Sequence, residues 1–362
     1  MALSFLAGAL TAAVLRWGSS IAVRAAVAER PAPVDADAAM PDDDAEVRAG
    51  EIGRGRDAER PGQIPLRGWK DILSRTYREF SRDQIALIAA GCTFYTLLAL
   101  FPGVTAFAAL YGLFADVRDA QTHIEALSGV VPAGAIALIG DQMIKVVAAG
   151  ETGLSLAFGV GLLTALWSAN KAMKAIVTGL NIAYEETETR GLIAKTLTPL
   201  AFTFGLILFA AAAIGLAAVG AGWTETAPQV VQITWTVFYW SVLFCGVVLG
   251  MTLLYRFGPS RSRARWRWVT WGSGLAAFAW VLMSGAFTFY VSRFGDYDEA
   301  YGALGAAIGF MTWTWLSSMV FLMGAELNAE IEHQTAEDTT TGAPRPLGVR
   351  GAVMADTVGE AS

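Results

Sequence analysis

The stretch AYGALGAAIGFMTWTWLSSMVFLMGAELN, residues 300–328, decides the fold class of this chain. It carries no charged side chain before Glu326. A helix needs about 20 mainly apolar residues to cross the roughly 30 Å hydrocarbon core of a membrane, so this stretch is long enough to span one. A carboxylate at the edge of a span is costly unless it is paired or reaches water, so the environment of Glu326 needs an explanation.

Five more long windows without charge occur in the chain. Only 16% of the 362 residues are charged, whereas a soluble domain carries about 25%. The sequence therefore predicts an all-α polytopic membrane domain over residues 66–332. Its six transmembrane helices are expected at about 85–115, 152–170, 196–222, 230–255, 268–292 and 302–326.

The two ends of the chain differ from this domain. Residues 1–30 contain an apolar run too short to span, typical of a marginal interfacial helix or of a start codon assigned too early. Residues 31–65 and the tail 333–362 are poor in large apolar side chains, which predicts a disordered linker and a disordered tail. Residues 69–83 predict an amphipathic helix lying in the membrane interface, with a surface helix packed on protein as the alternative.

Lysine and arginine alternate between the two sides of the predicted membrane domain. The loops before the first span, after the second and after the fourth are basic, and the opposite loops hold few cations. The positive-inside rule then predicts that both termini lie in the cytoplasm.

Short motifs recur in order between residues 69 and 332. They are AAGCTFYTLLALFP (89–102), LWSAN (166–170), LNIAYE (180–185), LYRFGP (254–259), YGALG (301–305) and GAELNA (324–329). Together they resemble the YihY/BrkB family of bacterial inner-membrane proteins, although GCTFY at 91–95 departs from the usual pattern. The resemblance implies a six-helix, multi-pass inner-membrane protein without an established activity, to which an old label, ribonuclease BN, is attached.

Polar residues near the predicted inner ends of the spans are the candidates for a polar pathway or an ion pair. We expect Glu326 to form a structural ion pair with Lys171 or Arg256, because all three are predicted at the same membrane boundary. For the lysines we expect simple anchoring to lipid head groups, and the alternative is a polar face that lines a pocket at the cytoplasmic membrane boundary. The full set of candidates is Asn170, Lys171, Lys174, Asn181, Arg256 and Glu326.

Three further features indicate contacts within the membrane or at its surface. The basic loop before the fifth span alternates with tryptophan and is expected to anchor anionic lipid rather than nucleic acid, through Arg261, Arg263, Arg265 and Arg267. Small residues in the sixth span predict close helix packing at Gly302, Gly305 and Gly309. Pro102 predicts a kink or break in the first span.

The chemistry of an enzyme is not apparent in the sequence. Ribonuclease chemistry needs paired histidines or carboxylates that hold a metal, but His123 and His333 are predicted on opposite sides of the membrane. No zinc or nucleotide-binding motif predicts a cofactor. The leading expectation is transport or export of a small molecule or lipid; the alternative is a non-catalytic scaffold for envelope assembly.

Overall fold

A computed structural model of the chain describes residues 43–111, 154–224, 227–294 and 303–362. The predicted apolar segment at 1–30, His123 and Gly302 lie outside these residues. Regular structure within them is helical, apart from one isolated β-bridge. The helices are α1 (Asp43–Ala49), α2 (Leu66–Arg82), α3 (Ile85–Tyr111), α4 (Leu154–Ala183), α5 (Leu192–Thr224), α6 (Gln229–Phe257), α7 (Trp266–Phe294), α8 (Ala303–His333) and α9 (Val353–Asp356), with a 3₁₀ turn at Pro61–Gln63.

The six long helices α3 to α8 fall on the six uncharged windows. Four of them, α5 to α8, are long and apolar enough to cross a membrane. Helices α2 and α3 meet at a 60° bend, and this bent pair is a fifth candidate span. The prediction of an all-α membrane protein is therefore confirmed for the described residues, with four or five candidate spans.

The long helices pack side by side in a ring. Helix α3 lies against α4, and each following helix lies against the next, until α8 returns to α3 and also contacts α4. The buried centre is formed by side chains from most of these helices, among them Ile85, Leu180, Tyr255, Leu322 and Ala325. The α5–α6 hairpin lies at the edge of the bundle and exposes many large apolar side chains, including Phe204, Leu206, Leu208, Val237 and Phe238.

Tryptophan side chains connect neighbouring helices through hydrogen bonds as well as by packing. The indole Nε1 of Trp280 donates to Ser317 Oγ at 3.0 Å, and that of Trp313 donates to Ser284 Oγ at 3.1 Å. Both bonds join α7 to α8, and polar contacts of this kind between membrane helices contribute about 0.6 kcal/mol on average. The contact between α7 and α8 therefore includes directional hydrogen bonds as well as apolar packing.

The structure changes two predictions about helix geometry. The close-packing prediction for Gly309 is wrong, because a Cβ added there would meet nothing within 4 Å. For Gly305 close packing stays a prediction. Pro102 does not break α3, because the helix continues through the proline to Tyr111, whereas a kink at Pro102 stays a prediction.

Close helix approach occurs instead where Gly272 of α7 faces Asn328 of α8. The Gly272 backbone N–H donates to Asn328 Oδ1 at 3.0 Å, and a Cβ at this position would overlap the Asn328 amide. Asn328 is fully buried, so it has no room to move aside. The contact therefore fixes the spacing between these two helices.

Replacing Gly272 with alanine should destabilise the protein by about 1–3 kcal/mol through overpacking of this contact. The matched control is Gly274→Ala on the same helix, where a Cβ meets nothing within 4 Å. Thermal unfolding of the purified variants in detergent measures the difference. Equal melting temperatures for the two variants would contradict the assignment.

The structure differs from the predicted disorder of residues 43–65 and 334–362, which are folded against each other and against the bundle. The buried Arg56 guanidinium donates to the carbonyl oxygens of Gln334 at 3.1 Å and Gly359 at 2.6 Å. The hydroxyl of Thr335 donates to the Ala58 carbonyl at 2.7 Å. Buried polar contacts between segments far apart in sequence thus supply the order that their low apolar content does not.

Helix α2 is amphipathic as predicted, but its inward face is partly charged. Asp71 and Arg75 are buried there, together with Ile72. Asp71 accepts hydrogen bonds from Arg54 and from the chain end at Ser362. This face of α2 is therefore packed on protein, whereas Leu73 and Tyr77 are exposed on the other side.

Candidate functional site

Basic residues collect at one end of the bundle, which we call the basic end. It comprises α2, the α4–α5 loop, the α6–α7 loop, the last turn of α8, and the folded segments 43–65 and 334–362. At its centre Arg261 forms a buried salt bridge with Glu332, and its guanidinium carbon lies 4.9 Å from the centroid of the Tyr184 ring. A second buried pair joins Arg75 to Glu330. The loops are therefore held rigidly against the ends of the helices.

Glu326 lies in α8 near this end, and the predicted ion pair with Lys171 or Arg256 is wrong. Its side chain is buried, and no salt bridge among the described residues includes it. Its carboxyl lies instead close enough to Asp83, in the turn between α2 and α3, for the two groups to influence each other's ionisation. Its Oε1 is buried without a hydrogen-bond partner among the described residues. Burial, followed by the charge of Glu79, raises the pKa of Asp83 to about 6.

The polar stripe on α4, made of Asn170, Lys171 and Lys174, lies inside the helix rather than at its end. The sequence places the end of this span at residue 170, but the helix continues to Ala183. At 1.5 Å per residue, Lys171 is about 18 Å from that end. The stripe therefore lies well before the C-terminal turn of the helix.

No carboxylate neutralises the polar stripe within the described residues. Neither lysine takes part in a salt bridge there. The ammonium of Lys171 lies 5.4 Å from the centroid of the Trp167 ring, and Asn170 Oδ1 is buried without a hydrogen-bond partner. Buried polar groups are almost always paired in proteins, so the unpaired oxygen indicates a place where water or a ligand can bind.

Asn181 shares α4 with the polar stripe but has a different role. Its Oδ1 accepts the backbone N–H of Ser260 at 2.8 Å, and its Nδ2 donates to Glu188 at 3.2 Å. Hydrogen bonds from Arg190 lower the pKa of Glu188 to about 2. Asn181 therefore fastens the α4–α5 loop to the α6–α7 loop.

The arginines of the α6–α7 loop and of the start of α7 are not equivalent. Arg261 is buried against Glu332, and Arg265 Nε donates to the Thr340 carbonyl at 2.8 Å. Arg263 and Arg267 are exposed. Arg256, at the end of α6, stacks on Trp266 with 4.1 Å between its guanidinium carbon and the ring centroid.

Glu186 couples the α4–α5 loop to the C-terminal segment. One carboxyl oxygen accepts the Val353 backbone N–H at 2.9 Å, where α9 begins. Burial raises the pKa of Glu186 to about 7. The hydrogen bond from Val353 and the charge of Arg261 oppose this increase. The charges of Asp356 and Glu332 add to it. The stabilising contribution of this group is therefore complete below its ordinary pKa and is lost as pH rises through about 7.

Glu186→Gln should remove this pH dependence, because glutamine keeps a hydrogen-bond acceptor but does not ionise. We expect the melting temperature of the variant, relative to the unaltered protein, to rise between pH 5 and pH 8. The comparison is made in detergent at constant ionic strength. A difference that stays constant over this range would contradict the role of Glu186.

Sequence reasoning missed two central acidic contacts, Asp83 with Glu326 and Glu332 with Arg261. Neither pair has a characteristic spacing, because its members lie in different parts of the chain. Within the described residues, no group of three histidine, cysteine, aspartate or glutamate side chains could hold a metal ion. The site is therefore an arrangement of buried carboxyls, unneutralised cations and aromatic rings.

Comparisons with known proteins are consistent with a membrane protein. The ribonuclease-like protein YfkH of Bacillus subtilis is 29% identical over 266 residues, which cover 72% of this chain and 93% of YfkH. The UPF0761 membrane protein of Chromohalobacter salexigens is 28% identical over 302 residues, covering 77% of this chain and 68% of the relative. The UPF0761 membrane protein of Pseudoalteromonas atlantica is 26% identical over 291 residues, which cover 76% of this chain and 93% of the relative. No solved structure shows a significant match.

The family comparison covers most of the membrane domain. The model of the family described as virulence factor BrkB matches residues 76–347, which include α3 to α8 and the loops between them. The names of the two UPF0761 relatives describe membrane proteins and state no catalytic activity, whereas the name of YfkH says only that it is ribonuclease-like. This protein belongs to the BrkB family of membrane proteins.

Proposed function

We propose that this protein is a six-span transporter of the bacterial inner membrane that moves an acidic lipid. The polar stripe on α4 carries the proposal. Ionisable side chains inside membrane helices are costly and mark the pathways of substrates or ions. Two lysines without a carboxylate partner favour a substrate that brings its own negative charge.

The packing of α4 supports the proposal of six spans. Helix α4 contacts α5 and α8, which are both apolar enough to cross the membrane, and it lies along α3, which belongs to the bent pair. Its 30 residues give a length of about 45 Å, which exceeds the hydrocarbon thickness. With α3 and α4 as spans, the basic end faces the cytoplasm by the positive-inside rule, together with both termini.

The surface of the α5–α6 hairpin favours a lipid over a water-soluble anion. Helix α5 contacts mainly α4 on one side and α6 on the other, and exposes apolar side chains along its length. Helix α4, which carries the polar stripe, therefore adjoins a hairpin surface suited to acyl chains. An amphiphile with an anionic head group and apolar chains matches both the lysines of the polar stripe and the apolar surface of the hairpin.

Reconstitution tests the proposal. The purified full-length protein is placed in vesicles with fluorescent phosphatidylglycerol, and translocation is followed by quenching of the label in the outer leaflet. We expect the protein to accelerate translocation of phosphatidylglycerol more than that of phosphatidylcholine labelled in the same way. Rates equal to those of empty vesicles would favour the scaffold alternative.

A further inference from the structure

We propose that Arg256, Arg263 and Trp266 form a binding site for the phosphate group of an acidic phospholipid at the basic end. The inference deepens the proposed function and rests on it for the role of the site. Binding itself can be measured without transport. The proposed site is a defined pair of guanidinium groups held on aromatic rings, whereas the sequence predicts a broader anchor of four arginines.

The two arginines lie on the same aromatic platform. The guanidinium carbons of Arg256 and Arg263 lie 5.3 Å and 5.1 Å from the centroid of the Phe257 ring. Arg256 also stacks on Trp266, and the rings of Phe257 and Trp266 meet edge to face with centroids 6.3 Å apart. Stacking leaves the edges of a guanidinium group free, and those edges are the ones that bind phosphate oxygens.

The positive charge of this pair is not neutralised by the described part of the chain. Arg256 Nε and Nη1 are shielded from solvent but have no hydrogen-bond partner, and neither arginine forms a salt bridge among the described residues. Arg261 in the same loop shows the contrast, because Glu332 neutralises it. Two adjacent cations without a counter-ion among the described residues therefore favour binding of an additional anion.

The C-terminal segment holds the α6–α7 loop in the shape that brings Arg263 back to Phe257. The backbone N–H of Thr341 donates to the Arg263 carbonyl at 2.9 Å, and that of Arg265 donates to the Thr339 carbonyl at 2.8 Å. These bonds form a β-bridge between Ala264 and Thr340. The site is thus preorganised by the folded tail, which reduces the entropic cost of binding.

The position of the site favours a lipid phosphate over a soluble one. Arg256 lies in the last turn of α6, and α7 begins at Trp266. The Trp266 side chain is 47% exposed, as suits an aromatic ring at the level of the head groups. A phospholipid beside this tryptophan could place its phosphate on the guanidinium pair and its chains along α6.

The test compares binding by the full-length protein in detergent of three probes: short-chain phosphatidylglycerol, short-chain phosphatidylcholine and inorganic phosphate. Arg256→Gln and Arg263→Gln should each weaken phosphatidylglycerol binding about tenfold, the expected effect of losing one charge-assisted hydrogen bond. Arg267→Gln is the matched control, because it removes the same charge from an exposed residue next to Trp266. It should change the affinity less than twofold.

The probes distinguish the possible sources of the phosphate. Tighter binding of phosphatidylglycerol than of inorganic phosphate, lost in both arginine variants, supports the lipid site. Equal binding of these two probes would overturn the lipid assignment in favour of a soluble phosphate. Arg263→Gln replaces an exposed side chain, so the test remains valid if Arg256→Gln fails to fold. If Arg263→Gln binds phosphatidylglycerol as tightly as Arg267→Gln does, the proposal is overturned. If the two arginine variants lose lipid binding but the unaltered protein translocates no lipid, the binding site is retained and the transport function is rejected.

Discussion

Replacing Arg261 with methionine is expected to destabilise the protein by about 3–5 kcal/mol, the usual cost of leaving one partner of a buried ion pair alone. The Arg261 and Glu332 side chains are 2% and 0% exposed, so water cannot replace the lost guanidinium. Glu332 would retain only the hydroxyl of Thr339, which donates at 3.0 Å. The α6–α7 loop should separate from α8 first, because this pair joins them.

Chemical unfolding of the purified variant in detergent measures the effect. Arg267→Met is the matched control, since this exposed arginine has no salt bridge within the described residues and should lose little stability. The double variant Arg261→Met with Glu332→Gln should recover much of the loss, because no unpaired charge remains. A single variant as stable as the control would contradict the buried pair.

Replacing both Lys171 and Lys174 with glutamine should reduce phosphatidylglycerol translocation at least about tenfold, equivalent to about 1.4 kcal/mol of lost interaction with the anionic head group. The reason is that the polar stripe supplies the positive charge inside α4. Glutamine keeps the length and polarity of the face but removes this charge. The folded structure should persist, because neither lysine forms a salt bridge in the described residues.

Lys195→Gln provides the matched control for this pair of substitutions. Lys195 is exposed near the start of α5, so its loss changes the net charge without altering the polar stripe. Translocation by this variant should remain close to that of the unaltered protein. Comparable losses in the stripe variant and the control would show a general effect of charge and reject a specific pathway.

The sequence was sufficient to predict the helices, because each long helix contains a continuous apolar window. It does not predict how far α4 continues, because the apolar window ends at Asn170 whereas the helix extends to Ala183. Helix formation does not stop at a lysine, and the residues that follow, such as Ala172 and Met173, favour a helix. The same helix continuation changes the interpretation of the lysines from anchors to a polar stripe.

Composition could not predict the folded ends or the contact of Glu326. Arg56 and Gln334 are separated by 278 residues, and their hydrogen bond depends on the finished bundle. Glu326 was expected near basic residues because it lies at a basic membrane boundary, but boundary position does not determine which side chain faces it. The 60° bend between α2 and α3 places Asp83 there instead.

The most direct test of the central claim is whether water reaches the polar stripe inside the membrane. Cys92 and Cys245 are replaced by alanine, and single cysteines are introduced at Asn170 or at Leu163, which is exposed on the apolar surface of the same helix. We predict that a membrane-impermeant maleimide modifies the cysteine at 170 in intact membranes but not the one at 163. Failure to modify position 170 until the protein is unfolded would contradict a hydrated pathway along α4.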